Sequence, residues 1–180
     1  MMTGDRAYLD HNASAPLRPE AHAVMLDVLT HAGNASSVHG EGRNARRSVE
    51  EARRQVASLV GCDPDGVIFT SGATEAALLG LTPDVSVDGT GRPASQLYVS
   101  ETEHPCVLSG GRFPPETVQG LRVHSNGLID LDALDQALEK HDFSAGLPFV
   151  AVQLANSETG VIQPVQEVAQ RVRFRGGYTL

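Results

Sequence analysis

Three short segments bring together residue types that can do chemistry. In Thr70-Ser71-Gly72-Ala73-Thr74-Glu75, small and polar residues make a turn and a helix-forming run follows. The first amides of a helix have no intrahelical partner, and its dipole favours negative charge there. Gly72 and Ala73 let a ligand approach the backbone, and Ser71 and Thr74 add hydroxyl donors. The segment suits a phosphate group without a P-loop lysine, and by itself it reads also as an ordinary serine N-cap. In Glu101-Thr102-Glu103-His104-Pro105, a histidine held by the following proline can lay its ring over an aromatic ligand or move a proton. The other reading is a half-exposed loop histidine. In Ala155-Asn156-Ser157-Glu158-Thr159-Gly160, polar residues directly behind an apolar run can hydrogen-bond a ligand's ring substituent, or simply form a polar turn. Two further loops, Asp10-His11-Asn12-Ala13 and Gly33 to His39, are dense in hydrogen-bonding groups but alone are turns.

These segments must be positioned by regular elements. Apolar spacing predicts an amphipathic helix from Pro19 to about Thr30, with Ala23, Val24, Leu26, Val28 and Leu29 on one side. A longer helix is expected from about Arg43 to Val60, with a stripe of Ala45, Val49, Ala52, Val56, Leu59 and Val60. Glu50 and Arg54 should pair at i, i+4, and Gly61 should end the helix. Gly66 to Thr70 reads as a buried strand leading into a helix from Glu75 to about Leu81. Residues 82–95 read as a surface loop, Leu97–Ser100 as a strand, and His104 or Pro105 as the start of a short helix. Residues 110–120 read as loop, Leu121–His124 as a strand, Asp130–Lys140 as a helix, and Pro148–Leu154 as a strand. Pro164 opens a last helix. Alternation of strands and helices gives an α/β class with a largely parallel sheet. Ligands of such sheets sit at the carboxyl ends of the strands, where the three segments fall.

Composition narrows the function. The 180 residues are 41% hydrophobic and 20% charged with a net charge of −8, as in a globular protein of one ordinary domain with no basic stripe for nucleic acid. No run approaches the ~18 apolar residues of a membrane helix. The first residues lack a signal-peptide core, so a cytoplasmic protein is expected. Cys62 and Cys106 make no disulfide framework and read as packing residues. The seven histidines show no i, i+4 pair, so no metal is expected. No G-x-G-x-x-G follows a strand, which argues against a dinucleotide-binding domain.

Taken in order, YLDHNASAPLRPE, GNASSVHGEGR, VIFTSGATEA, ETEHPCVL and LANSETGVIQPV resemble the cysteine desulfurases of the class-V aminotransferase group, over roughly residues 7 to 170. The resemblance implies a pyridoxal-phosphate-dependent transferase fold of type I: a mostly parallel sheet flanked by helices, incomplete at the C-terminus. Residues 1–17 would be the N-terminal segment of the small domain and 18–180 a partial large cofactor-binding domain. It implies a homodimer that takes sulfur from L-cysteine, leaves alanine, and passes the sulfur to an acceptor protein for Fe–S cluster or thio-cofactor assembly. By matching motif, Ala73 and Thr74 would bind the pyridoxal 5'-phosphate phosphate group, and His104 would stack on the pyridine ring and act in catalysis. The family's Asn-Asn-Glu is Asn156-Ser157-Glu158 here, so Ser157 stands where an asparagine normally meets the ring oxygen, with Asn156 as the fallback.

The resemblance also implies a lysine that carries the cofactor covalently and a persulfide cysteine, both expected beyond Leu180. The single lysine, Lys140, follows Leu138-Glu139 at the polar end of a helix and is not expected to serve. Residues 170–180 do not read as the strand expected there and look like a shifted reading frame or a truncated product. The expectation is therefore a cysteine desulfurase-like chain inactive alone. The alternatives are a non-catalytic fragment that binds phosphate ligands or pairs with an intact homologue, and a selenocysteine lyase-like enzyme. A sheet edge and an apolar face are expected to be left open.

Overall fold

Helices begin and end close to where polarity and capping residues put them, and strands form only where the chain supplies a neighbour. The computed structural model describes residues 7–31, 33–85 and 91–180; the middle of the expected 82–95 loop lies outside the described residues. The chain divides into two units, one running to Phe69 and the other spanning Thr70–Leu180.

In the first unit, α1 (Pro19–Leu29) starts at its proline and α2 (Gly40–Val60) ends at Gly61 in the left-handed conformation, φ 70°. Helix α2 starts three residues before the expected Arg43 because the His39 imidazole caps it, Nδ1 accepting from Gly42 N–H at 3.3 Å. The expected Glu50–Arg54 pair is replaced by i, i+3 pairs: Glu50 with Arg53 at 3.3 Å and Glu51 with Arg54 at 2.6 Å. The apolar stripes are poorly covered. No residue of α1 is buried, only Gly42 and Ala57 of α2 are, and Leu29 is 77% exposed.

The expected buried strand at Gly66–Thr70 does not form. Pro64–Gly66 is a 3₁₀ turn, residues 67–70 are irregular, and Ile68 is 73% exposed. An apolar run becomes a strand only against a ladder partner, and no described strand pairs with it. Arg53 substitutes in part: its guanidinium donates to Val67 O and lies 5.2 Å from the centroid of the Phe69 ring.

The second unit follows the order α3 (Ala73–Gly80), β1 (Ala94–Ser100), α4 (Pro105–Leu108), β2 (Val118–Leu121), α5 (Leu131–Lys140), β3 (Leu147–Ala151), α6 (Val165–Phe174), β4 (Tyr178–Thr179). The sheet is wholly parallel, in the order β2-β1-β3-β4. Side chains alternate across it. Tyr98, Val150 and Val152 join Leu134, Leu138, Val168 and Val172 on the face covered by α5 and α6. Leu97, Val99, Phe149 and Ala151 join Ala77, Leu81 and Phe113 on the other, with Cys106 and Val107 partly buried against them. A parallel sheet covered on both faces has near-continuous apolar strands, as β1 and β3 show.

Boundaries differ from expectation in all four strands; β1 starts at Ala94, three residues before the expected Leu97. Strand β2 occupies Val118–Leu121, paired with Leu97 to Ser100, so part of the glycine-bearing loop is strand and Val123 makes only a bridge to Ile129. Strand β3 stops at Ala151, and Leu154 is 62% exposed. The C-terminal residues do form a strand: Tyr178 and Thr179 pair with Phe149 and Val150, and Leu180 N–H donates to Val150 O at 3.0 Å. Gly177 makes this possible. A Cβ there would meet Pro148 O at 2.7 Å and Val172 Cγ1 at 2.9 Å, so only glycine brings the chain so close to the sheet edge.

The sheet has a defined amino edge. His141, buried after α5, lies there with Nε2 3.2 Å from Gly146 O and Nδ1 3.1 Å from the Tyr98 hydroxyl, whose pKa burial pushes up to about 12. Exposed Lys140 precedes it.

Candidate functional site

At the opposite, carboxyl edge, the ends of β1 and β3 are tied together by side chains. The Thr102 carbonyl accepts from Gln153 Nε2 at 2.6 Å and from Asn156 Nδ2 at 2.8 Å. Glu103 turns inward, 7% exposed, and its Oε1 accepts from Gln153 N–H at 2.5 Å. Burial pushes the Glu103 carboxyl above its ordinary value of 4.5, and the Gln153 bond opposes the shift only in part. A carboxyl with a raised folded-state pKa holds its proton to higher pH when folded. Its contribution is therefore fully present below 4.5 and is lost as pH rises through the folded value. Glu103→Gln keeps the acceptor and cannot ionise. Urea midpoints measured across a pH series are expected to show wild type losing stability relative to the variant as pH rises above 4.5. A constant difference would show that the buried carboxyl does not titrate in this way.

Inward Glu103 turns the next side chain outward. His104 is exposed and is the N-cap of α4, with Pro105 at the first helical position. Its Nδ1 accepts from Cys106 N–H at 3.2 Å and lies 3.0 Å from Cys106 Sγ.

Helix α3 packs against α4. Past its C-terminal end, Pro83 O accepts from Ala94 N–H at 2.7 Å at the start of β1, so α3 runs antiparallel to the strands with its N-terminus toward their carboxyl ends. Ala73 and Thr74 are its first two residues. The intrahelical ladder begins only at Ala76 N–H to Gly72 O, so the amides of Ala73, Thr74 and Glu75 precede it. The space in front is open, since a Cβ on Gly72 would meet nothing within 4 Å. Ser71 is engaged elsewhere: its N–H and its hydroxyl both donate to Glu75 Oε2 at 2.7 Å, and these bonds hold the Glu75 carboxyl below its usual range. Thr74 is thus the available hydroxyl of the two expected.

Asn156 is buried and both ends of its amide are engaged. Besides the Thr102 bond, its Oδ1 accepts from Glu158 N–H, Thr159 N–H and the Thr159 hydroxyl at 2.9, 2.8 and 3.1 Å. The neighbouring Ser157 side chain is exposed at the tip of this loop, which the Ala155–Ile162 bridge closes. Sequence reasoning missed Glu103 and Gln153. No local signal separated Glu103 from Glu101, which directly follows β1 and is exposed.

Lys140 is far from these groups. It sits beside His141 at the amino edge, and the seven residues of β1 separate the two edges by roughly 20 Å. Among the described residues, no group of three or more His, Cys, Asp or Glu could hold a metal ion. No described helix is long and apolar enough to cross a membrane.

The class-V aminotransferase family pattern matches residues 7–180. The chain belongs to this family. A cysteine desulfurase of Frankia sp. (strain EuIK1) is 36% identical, the match covering 94% of this chain and 42% of that protein. An IscS-like cysteine desulfurase of Mycobacterium tuberculosis is 38% identical over 91% of this chain and 42% of its own length. Among solved structures, a NifS-like protein superposes with a TM-score of 0.76 at 27% identity, covering 97% of this chain and 47% of that one. A NifS-like protein from Rickettsia africae superposes with a TM-score of 0.79 at 24% identity over 96% of this chain and 46% of its own length, which speaks to the fold alone. This class-V aminotransferase chain therefore spans about two fifths of the length of the curated relatives it matches.

Proposed function

We propose that this chain is the pyridoxal-phosphate-binding portion of a cysteine desulfurase that works in the cytoplasm. The reading assigns residues 1–17 to the small domain and 18–180 to the large cofactor-binding domain of a homodimer. The observation that carries it is the convergence, at one sheet edge, of an unencumbered helix N-terminus with an exposed histidine that caps the helix packed against it. The groups there fit the phosphate and the aromatic ring of pyridoxal phosphate. Ala73 and Thr74 supply two amides and a hydroxyl to the phosphate. His104 supplies a flat ring to cover the pyridine, and Ser157, exposed at the loop tip, stands at the motif position that meets the ring oxygen.

When bound, pyridoxal phosphate supplies an electron sink for bond breaking at the substrate's α-carbon and β-carbon. The residues of this chain bind and orient it: the helix start takes the anionic end, the His104 ring limits tilt and excludes water from one face, and the imidazole can hold a proton at Nε2. The named relatives favour L-cysteine over its selenium analogue as substrate, and on this reading the sulfur passes to an acceptor protein.

A second reading is favoured by one observation. Lys140 lies at the wrong edge of the sheet to reach this site, so these 180 residues bind the cofactor's phosphate and ring without supplying its covalent lysine. Calorimetric titration with pyridoxal phosphate, pyridoxal and inorganic phosphate tests both readings. Pyridoxal phosphate is expected to bind, inorganic phosphate to compete with it, and pyridoxal to bind more weakly. Absence of binding overturns both readings, and alanine released from L-cysteine by the 180-residue chain alone overturns the second.

A further inference from the structure

Cys106 sits two residues after His104, half-buried against the core face that contains Leu97 and Phe113. Its backbone amide and its sulfur both approach the same imidazole nitrogen, at 3.2 and 3.0 Å from Nδ1. An amide always carries its hydrogen, so a nitrogen that faces one along the N–H direction must offer a lone pair. Nδ1 therefore bears no proton in the neutral ring. The sulfur at 3.0 Å must then supply the hydrogen of its own contact, as an S–H donor.

We infer that Cys106 is a positioning residue for His104: its amide and thiol together hold Nδ1 as an acceptor and fix the ring proton on Nε2. The ring orientation is set by the first turn of α4, and the edge presented outward is an N–H donor. The side chain is thus pre-set to donate at Nε2 to whatever lies over the carboxyl edge, and it cannot accept there while neutral. Its relevance to pyridoxal phosphate rests on the function proposed above, but the tautomer itself is a property of the free chain and is measurable without ligand.

Long-range ¹H–¹⁵N correlation spectra of the uniformly labelled 180-residue chain, recorded at alkaline pH where the ring is neutral, read the tautomer directly. In wild type, the His104 Nδ1 resonance is expected at the unprotonated extreme and Nε2 at the protonated extreme. In Cys106→Ala the backbone amide still donates to Nδ1 and only the thiol is lost, so both resonances move part of the way toward the averaged positions of a mixed population, and Cys106→Ser, which restores a hydroxyl donor, moves them back. A wild-type His104 protonated on Nδ1, or a Cys106→Ala spectrum identical to wild type, overturns the inference. A second measurement needs no Cys106 variant. In Cys62→Ser the remaining S–H stretch belongs to Cys106, and donation to imidazole puts its infrared band below that of a free thiol. His104→Ala returns the band to the free position, and a band unaffected by that change overturns the inference equally. Failure of pyridoxal phosphate to bind would leave these spectra unchanged and count against the proposed function alone.

Discussion

Asn156→Ala is expected to destabilise the folded chain by about 2–3 kcal/mol, the largest loss of any single polar side chain at the carboxyl edge. Four hydrogen bonds disappear together: one donated to Thr102 O and three accepted from Glu158 and Thr159. At a net ~0.5–1.5 kcal/mol each the sum has an upper bound of about 6 kcal/mol. The estimate is lower because Glu158 and Thr159 are exposed and regain water, while Thr102 O keeps its bond from Gln153. Asn156→Asp should be nearly as damaging. It retains the three accepted bonds but turns an oxygen toward the Thr102 carbonyl, where no hydrogen is available to either. Urea denaturation of the three proteins measures the difference, and amide exchange at Glu158 and Thr159 reports the loosened turn. A change below about 0.5 kcal/mol would mean that the Asn156 amide is not structurally engaged and is free to meet a ligand.

Thr74→Asp is expected to weaken pyridoxal phosphate binding about 100-fold in the calorimetric titration. The hydroxyl contact to an anionic oxygen is worth about 1.5–3 kcal/mol, and roughly 1.4 kcal/mol corresponds to a factor of ten. The substitution also sets a carboxylate at the helix N-terminus, where it satisfies the dipole in place of the phosphate. The fold should tolerate it, because an acidic residue in the first helical turn is stabilising, so thermal stability is expected to be unchanged or higher. Stability held together with lost affinity identifies the helix start as the phosphate site. Unchanged affinity places the phosphate elsewhere. Glu75 is not an equivalent probe: its carboxylate already takes both Ser71 donors, so removing it changes the local turn as well as the charge.

Much of the architecture was legible in residue order because its causes are local. Asp130 caps α5 by accepting from Ala133 N–H at 2.9 Å, and Leu134 and Leu138 recur at helical spacing on its buried side. Pro19 and Gly61 mark where α1 begins and α2 ends. β1 reads as a strand because Leu97, Tyr98 and Val99 are apolar on both faces of a sheet covered by helices. The helix starts near Thr74 and His104 follow from the same local rules, although α3 begins at Ala73, two residues before the expected Glu75.

What residue order could not decide depended on partners distant in the chain. Gly66–Thr70 has the composition of a strand and is not one, because no described strand lies beside it. Tyr178–Thr179 lacks a strand's length and is one, because Gly177 lets it reach Phe149 and Val150. Asn156 is a plausible ligand contact by type, yet its amide nitrogen is engaged by the Thr102 carbonyl, 54 residues earlier in the chain. Helix caps and apolar periodicity are set within a few residues and so are written in the sequence. Ladder pairing and the spare hydrogen-bonding capacity of a polar side chain exist only once separate segments meet, and tertiary structure alone decided them.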